Sequence, residues 1–129
     1  MISKRSPHAR TTTRTRTAEG GQAAIEFAGL ITLLLFVGLA AIQLGLAAYA
    51  VQQAGTASRA AARAASQHDM GYQSVGKASM SDWLAEDAHI EPARCFGDEV
   101  RVKARVQVPA ILPVFDFGEA ERSTTMPCD

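Results

Sequence analysis

From Phe27 to Ser58 the chain carries no charged residue, and this gap limits its possible folds more than any other feature. Within Phe27–Val51 (FAGLITLLLFVGLAAIQLGLAAYAV) the only strongly polar members are Thr32 and Gln43, with Tyr49 amphipathic. As an α-helix the stretch is about 37 Å long at 1.5 Å per residue. That is enough to cross a hydrocarbon core of roughly 30 Å with some tilt. A helix that is apolar on every side needs either lipid or a thick protein shell, and a chain of 129 residues has too little left to build the shell. The run predicts one transmembrane helix.

Charge is divided around that helix. Residues 1–21 hold Lys4, Arg5, Arg10, Arg14 and Arg16 against Glu19, a net +4, and the remainder is net −4. The basic segment, Thr/Arg-rich and without apolar periodicity, cannot offset its ordering entropy and reads as a disordered leader. By the positive-inside rule it stays in the cytoplasm, and residues beyond the helix lie outside. A nucleic-acid-binding domain carries its basic surface on the folded part; here the folded part is acidic. The sequence therefore points to no nucleic-acid partner.

The helix is expected to continue past the membrane. Residues 52–67 (QQAGTASRAAARAASQ) are Ala-rich and free of proline, a composition of high helix propensity. Gly38, Ala41, Gly45, Ala48, Gln52 and Gly55 alternate spacings of three and four, placing small residues on one stripe where another helix can approach closely. Arg59 and Arg63 share one edge of the extension and read as solvated.

Beyond His68 the composition is that of a small soluble domain. Gly71 and Gly76 suggest a break. Residues 79–89 predict a short helix with Ser79 or Ser81 as N-cap, an apolar face of Met80, Trp83 and Leu84, and a stop at Pro92. Asp82, Glu86, Asp87 and Glu91 read as its solvated face. Val100, Val102, Ala104, Val106 and Val108 alternate with Arg101, Lys103, Arg105 and Gln107, the period of a half-buried strand. Residues 109–118 suit a hairpin loop, and 119–127 predict the returning strand. The fold class is α+β: a transmembrane helix continuing into an amphipathic one, then a short helix and a small antiparallel β-hairpin or sheet. The organisation is a leader at 1–21, a helix at 22–67 and a small exported domain at 68–129.

Cys95 precedes the first strand and Cys128 follows the second. An antiparallel hairpin brings its open ends together, and an exported domain lies where disulfides persist. This predicts a Cys95–Cys128 disulfide. Two free thiols or a metal site are the alternatives, although His89 is the only other soft ligand nearby and no CxxC or HExxH spacing occurs. No metal or other cofactor is called for.

At the membrane's inner edge stands Gly20-Gly21-Gln22-Ala23-Ala24-Ile25-Glu26-Phe27. An ionised Glu in hydrocarbon costs on the order of 2–3 kcal/mol, so Glu26 either sits at the headgroup level, favoured by the helix dipole, or has a use. The junction resembles the type IV prepilin signal, in which a dedicated peptidase cuts after the glycine; Gly21 and Gln22 would flank the cut. More widely, residues 20–66, with the Glu26-Phe27 pair opening a long apolar helix and Ala61-Ala62-Arg63-Ala64-Ala65 further on, resemble the TadE-like family of pseudopilins from tight-adherence (Flp) pilus systems. The family usually places a proline about six residues after the glutamate; Thr32 stands there in this chain. The resemblance implies a single-pass minor pseudopilin with a cytoplasmic N-terminus, processed by a prepilin peptidase. It implies that Glu26 pairs with the amino terminus of a neighbouring subunit, and that the helix packs through Gly38, Ala41, Gly45 and Ala48. The implied partners are the membrane, other pilin subunits and the pilus assembly platform, with no small-molecule substrate.

Two other readings stand beside it. Ala48-Tyr49-Ala50 is an A-x-A-like site, so signal peptidase cleavage after Ala50 would release a soluble secreted domain, although the apolar run exceeds a typical signal-peptide core. An uncleaved single-pass anchor is the other. No enzyme is indicated: His8 lies in the leader, His68 and His89 have no partner spacing for catalysis, and there is no nucleophile motif.

Overall fold

No proline lies between Pro7 and Pro92, so nothing in the apolar and Ala-rich stretch stops a helix once nucleated, each further residue adding a hydrogen bond. In a computed structural model, which describes residues 16–129 and places side chains from Gly20 onward, α1 runs unbroken over Arg16–Ser66. Residues 16–21, expected to be an unstructured leader, are therefore helical. Gly20 and Gly21 disfavour the helix by about 1 kcal/mol each relative to Ala, which slows propagation without stopping it. The rest of the expected leader, 1–15, lies outside the described residues.

After α1 come α2 (Tyr72–Ala78), α3 (Asp82–Ala85), β1 (His89–Ile90), β2 (Glu99–Gln107) and β3 (Glu119–Pro127). The architecture is α+β, as expected. The chain divides into two units, the first ending at Val37 and the second running from Gly38 to Asp129. In the first unit every side chain from Gly20 to Val37 is exposed, Leu33, Leu34, Leu35 and Phe36 among them. Only 6% of the most apolar window of α1 is buried, so this is not the core helix of a soluble protein.

The second unit has its core between α1 and a three-stranded antiparallel sheet of order β1-β2-β3. From α1 come Ala50, Ala54, Ala57, Ala61, Ala62 and Ala65; from β2 come Val100, Val102, Ala104 and Val106. Burial alternates along β2 as its sequence pattern predicts. The register pairs Glu99 with Pro127 and Gln107 with Glu119, and residues 109–118 form the connecting loop. Ser58 Oγ on α1 shares a 2.8 Å hydrogen bond with Thr124 Oγ1 on β3. On the outer face Lys103 and Arg105 pair with Glu121 at 3.2 and 2.9 Å, and Arg105 also reaches Glu91 at 2.7 Å. The Lys103 ammonium, hydrogen-bonded to Glu121, holds that carboxyl below the usual carboxylate range, and Arg105 acts in the same sense.

Three local expectations need correction. Gly76 does not break the chain; it lies inside α2, buried against α1. The short helix expected over 79–89 covers only Asp82–Ala85. Ser81 is its N-cap residue but makes no side-chain cap bond. Its hydroxyl instead meets Tyr49 Oη, and its N–H donates to Gln53 Oε1 at 3.1 Å. Tertiary contacts with α1 thus fix where α3 starts. His89 and Ile90, expected near the helix end, form β1 against Arg105 and Ala104. Glu91 follows β1 and faces the basic pair of β2 rather than lining a helix.

α1 ends at Ser66 with His68 in the left-handed region at φ 59°. Asp69 N–H donates to Ala64 O at 3.0 Å and His68 N–H to Ala65 O at 3.1 Å, a Schellman-type closure that satisfies the last carbonyls. Asp129 docks there: its N–H donates to Ser66 O at 3.2 Å, and His68 Nε2 lies 3.0 Å from Asp129 O. Cys95 and Cys128 form the expected disulfide, with Cα atoms 6.2 Å apart.

Candidate assembly and membrane-contact surface

In the first unit the junction residues Gly21, Gln22, Glu26 and Phe27 all lie on α1 and are exposed. Gln22 and Glu26 are four apart and so share a face. Gln22 Nε2 donates to Glu26 Oε1 at 3.4 Å, a long bond that leaves the carboxylate free to accept a shorter one. Among the described residues, a Cβ added at Gly20 or Gly21 would meet nothing within 4 Å. Thr32, in place of the expected proline, donates to Ala28 O at 2.8 Å. Its hydroxyl is satisfied within the helix, and the backbone ladder passes through the position.

In the second unit α1 presents two faces. One is covered by the chain itself: Leu39, Ala40, Leu46 and Ala47 are half-buried, Gln43 and Ala50 fully buried. The other carries Gly38, Ala41, Gly45 and Ala48, all exposed, and a Cβ at Gly38 or Gly45 would meet nothing within 4 Å. Part of the small-residue stripe is thus left uncovered by the chain's own domain. Its far end is not: Gly55 is buried, with Arg59 Nη2 3.5 Å and Arg122 Cγ 4.0 Å from the position of a Cβ there. Arg59 and Arg63 themselves are exposed, as expected.

Gln43 is a positioning residue to which the sequence alone assigned no role. It is 1% exposed, and both ends of its amide are used. Nε2 donates to Pro109 O at 2.9 Å, and Oε1 accepts from Ile111 N–H at 2.8 Å. The β2–β3 loop is thereby clamped to α1. The available signal was the amide itself: a lone Gln in an apolar run needs a partner once buried. Replacing Gln43 by Leu keeps the volume and removes both bonds, stranding a carbonyl and an N–H. The expected cost is about 1–3 kcal/mol, read as faster amide exchange at Ile111 with little change in β2.

Tyr49 and Trp83 form a second contact between α1 and the domain, with near-parallel rings whose centroids are 6.1 Å apart. Trp83 stays half exposed. Among the described residues no group of His, Cys, Asp and Glu has the arrangement to hold a metal ion.

Residues 21–63 match the family model described as TadE-like protein, a family of proteins associated with Tad pili. This is the stretch on which the resemblance rested. No curated protein and no solved structure matches the chain.

Proposed function

Taking the TadE-like match over residues 21–63 as the premise, we propose that this chain is a membrane-anchored minor pseudopilin. In this reading a prepilin peptidase processes it after Gly21, and it assembles through the exposed half of α1. The observation that carries the reading is the exposed, uncharged helix surface that follows Glu26 directly. Such a surface has lipid or other helices as its natural surroundings. The Gly21–Gln22 bond lies within α1, so a peptidase must unwind the helix locally to reach it. Two consecutive glycines lower that cost by about 1 kcal/mol each, and among the described residues nothing packs on them.

Cleavage would remove the basic leader and create an α-amino group on Gln22, charged over most of the population at neutral pH. Glu26 would then pair with the amino terminus of a neighbouring subunit. In a low-dielectric bundle such a pair selects register more than it adds stability. Gly38, Ala41, Gly45 and Ala48 would let the neighbouring helix approach closely. The leader's charge favours a cytoplasmic N-terminus and an exported C-terminal domain, and the Cys95–Cys128 disulfide is in keeping with export.

Release by signal peptidase after Ala50 fits poorly with the packing. Ala50 is fully buried in the domain core, and that cut would remove the Gln43 clamp and the Tyr49–Trp83 contact. The test is the N-terminus of the chain isolated from cells that make the pilus machinery. Gln22 is the expected first residue, and a Gly21→Ala variant is expected to remain at precursor size. A native chain that begins at Val51, or one that keeps Met1 and migrates unchanged when Gly21 is replaced, overturns the proposal.

A further inference from the structure

The loop between β2 and β3 is apolar where a hairpin connection ordinarily carries polar turn residues. Residues 109–118 read PAILPVFDFG, with Asp116 the only charge, and its carboxylate is occupied by Gly118 N–H at 2.8 Å. Ile111, Val114 and Phe117 are exposed, Val114 by 79%. The loop is also fixed in place. Gln43 holds Pro109 O and Ile111 N–H, and its neighbours on α1, Ile42 and Leu44, are both largely exposed. The apolar loop is therefore tied to the helix at a level where the helix still shows an apolar outer surface.

Two further facts bear on what covers it. The helix from Phe27 to Ile42, between Glu26 and Gln43, spans about 24 Å, short of a hydrocarbon core of roughly 30 Å. Unless Glu26 is drawn into hydrocarbon, the bilayer reaches the level of Gln43 and its bound loop. Part of the loop's backbone is already provided for in such a place, where polar groups must find partners within the protein. Pro109 and Pro113 have no N–H. Ile111 N–H is taken by Gln43, Phe115 N–H by Leu112 O at 3.0 Å, and Val108 N–H by Gly118 O at 3.0 Å.

We propose that the β2–β3 loop is a membrane-inserting element, with Ile111, Val114 and Phe117 entering the leaflet from which α1 emerges. The C-terminal domain then has a second lipid contact besides its helix. The proposal rests on α1 crossing the bilayer, and the experiment separates the two claims. Trp83 is the only tryptophan, so a Trp83→Phe background is silent in tryptophan emission. The full chain is placed in phosphatidylcholine vesicles whose acyl chains are brominated near the headgroup, and tryptophan is introduced singly by Val114→Trp, Ile111→Trp, Leu33→Trp or Phe96→Trp. Phe96 is 91% exposed and precedes β2, at the opposite end of that strand from the loop.

The expected result is blue-shifted emission and loss of most of the intensity on bromination for the Val114 and Ile111 variants, with neither change for the Phe96 variant. Quenching of the Leu33 variant while both loop variants stay unquenched overturns the loop proposal and leaves the transmembrane helix standing. Loop variants that are blue-shifted but unquenched also overturn it, because protein, such as a second copy of this chain, then covers the tip. An unquenched Leu33 variant removes the spanning helix, and the loop proposal with it.

Discussion

The full chain with Cys95 and Cys128 both replaced by serine unfolds its C-terminal domain at a clearly lower denaturant concentration, a loss of about 3–4 kcal/mol in the chain-entropy model for a sequence separation of 33. Such domains hold only about 5–15 kcal/mol in total, so the loss is a large share. It is large here because the rest of the core is thin. Six of its buried residues are alanines of α1, and alanine brings little apolar area per residue ordered. The disulfide closes the open end of the β2–β3 hairpin, next to the bond from Cys128 N–H to Asp98 O at 2.8 Å. It also keeps Asp129 within reach of Ser66 and His68 on α1. The opposite end of the hairpin is held by Gln43. Losing the disulfide should therefore loosen one end first. Amide exchange should rise near Glu99 and Pro127 before it rises near Val106 and Ala120. The measurement is denaturation of the detergent-solubilised chain followed by Trp83 fluorescence. Reductant should shift the native chain to the variant's midpoint and leave the variant unmoved. An unchanged midpoint in the variant would show that packing alone carries the domain.

Where one periodicity ran for many residues, the sequence was informative. The uncharged run announced α1, and the Val-x-Val alternation announced β2 with its buried face. The loop after it, with two prolines and a final glycine, placed β3 and, through hairpin geometry, the disulfide. The junction at Gly21 and the pair Glu26-Phe27 stand out in the sequence because the pattern is local: two glycines, then a carboxylate at the start of an apolar helix. Elements set by tertiary contact were hidden. β1 is two residues long and exists because β2 offers it an edge. α3 starts after Ser81, one of the two expected cap residues, but the Ser81 hydroxyl meets Tyr49 and its N–H donates to Gln53, so the short length of the helix is set by contacts that no cap motif announces. Gln43 looked like an isolated polar residue in the membrane run, because its partners lie 66 and 68 residues away.

Gly76 was misread for the same reason, and replacing it should be the second large effect. Sequence rules treat a glycine here as a helix breaker, but it lies within α2, packed against Ala57 and Ala61 of α1. A Cβ at this position would collide with Ile90 Cδ1 and lie 3.0 Å from Ala61 Cβ and 3.1 Å from Ala57 O. The three obstacles are unequal. Ile90 Cδ1 is the end of a flexible side chain and can rotate away. Ala61 Cβ and the Ala57 carbonyl belong to α1 and cannot move unless the helices separate. Gly76→Ala gains about 1 kcal/mol in helix propensity and loses about 1–3 kcal/mol to overpacking, so it destabilises modestly. Gly76→Val adds bulk with a β-branched residue of poorer propensity and should cost clearly more. Gly71→Ala is the control: its nearest neighbours are the side-chain oxygens of Asp69 and Ser74 at 3.2 and 3.4 Å, which can shift, so little change is expected. Ile90→Val removes the colliding Cδ1 and separates the two contributions in a double-mutant cycle. Combined with Gly76→Ala it should recover only part of the loss, the remainder being the approach of α2 to Ala57 and Ala61. Complete recovery would assign the whole cost to Ile90 and show that the helices can separate freely. Partial recovery would give the Ala-rich stretch a structural role, a small-residue surface against which α2 can dock at backbone distance.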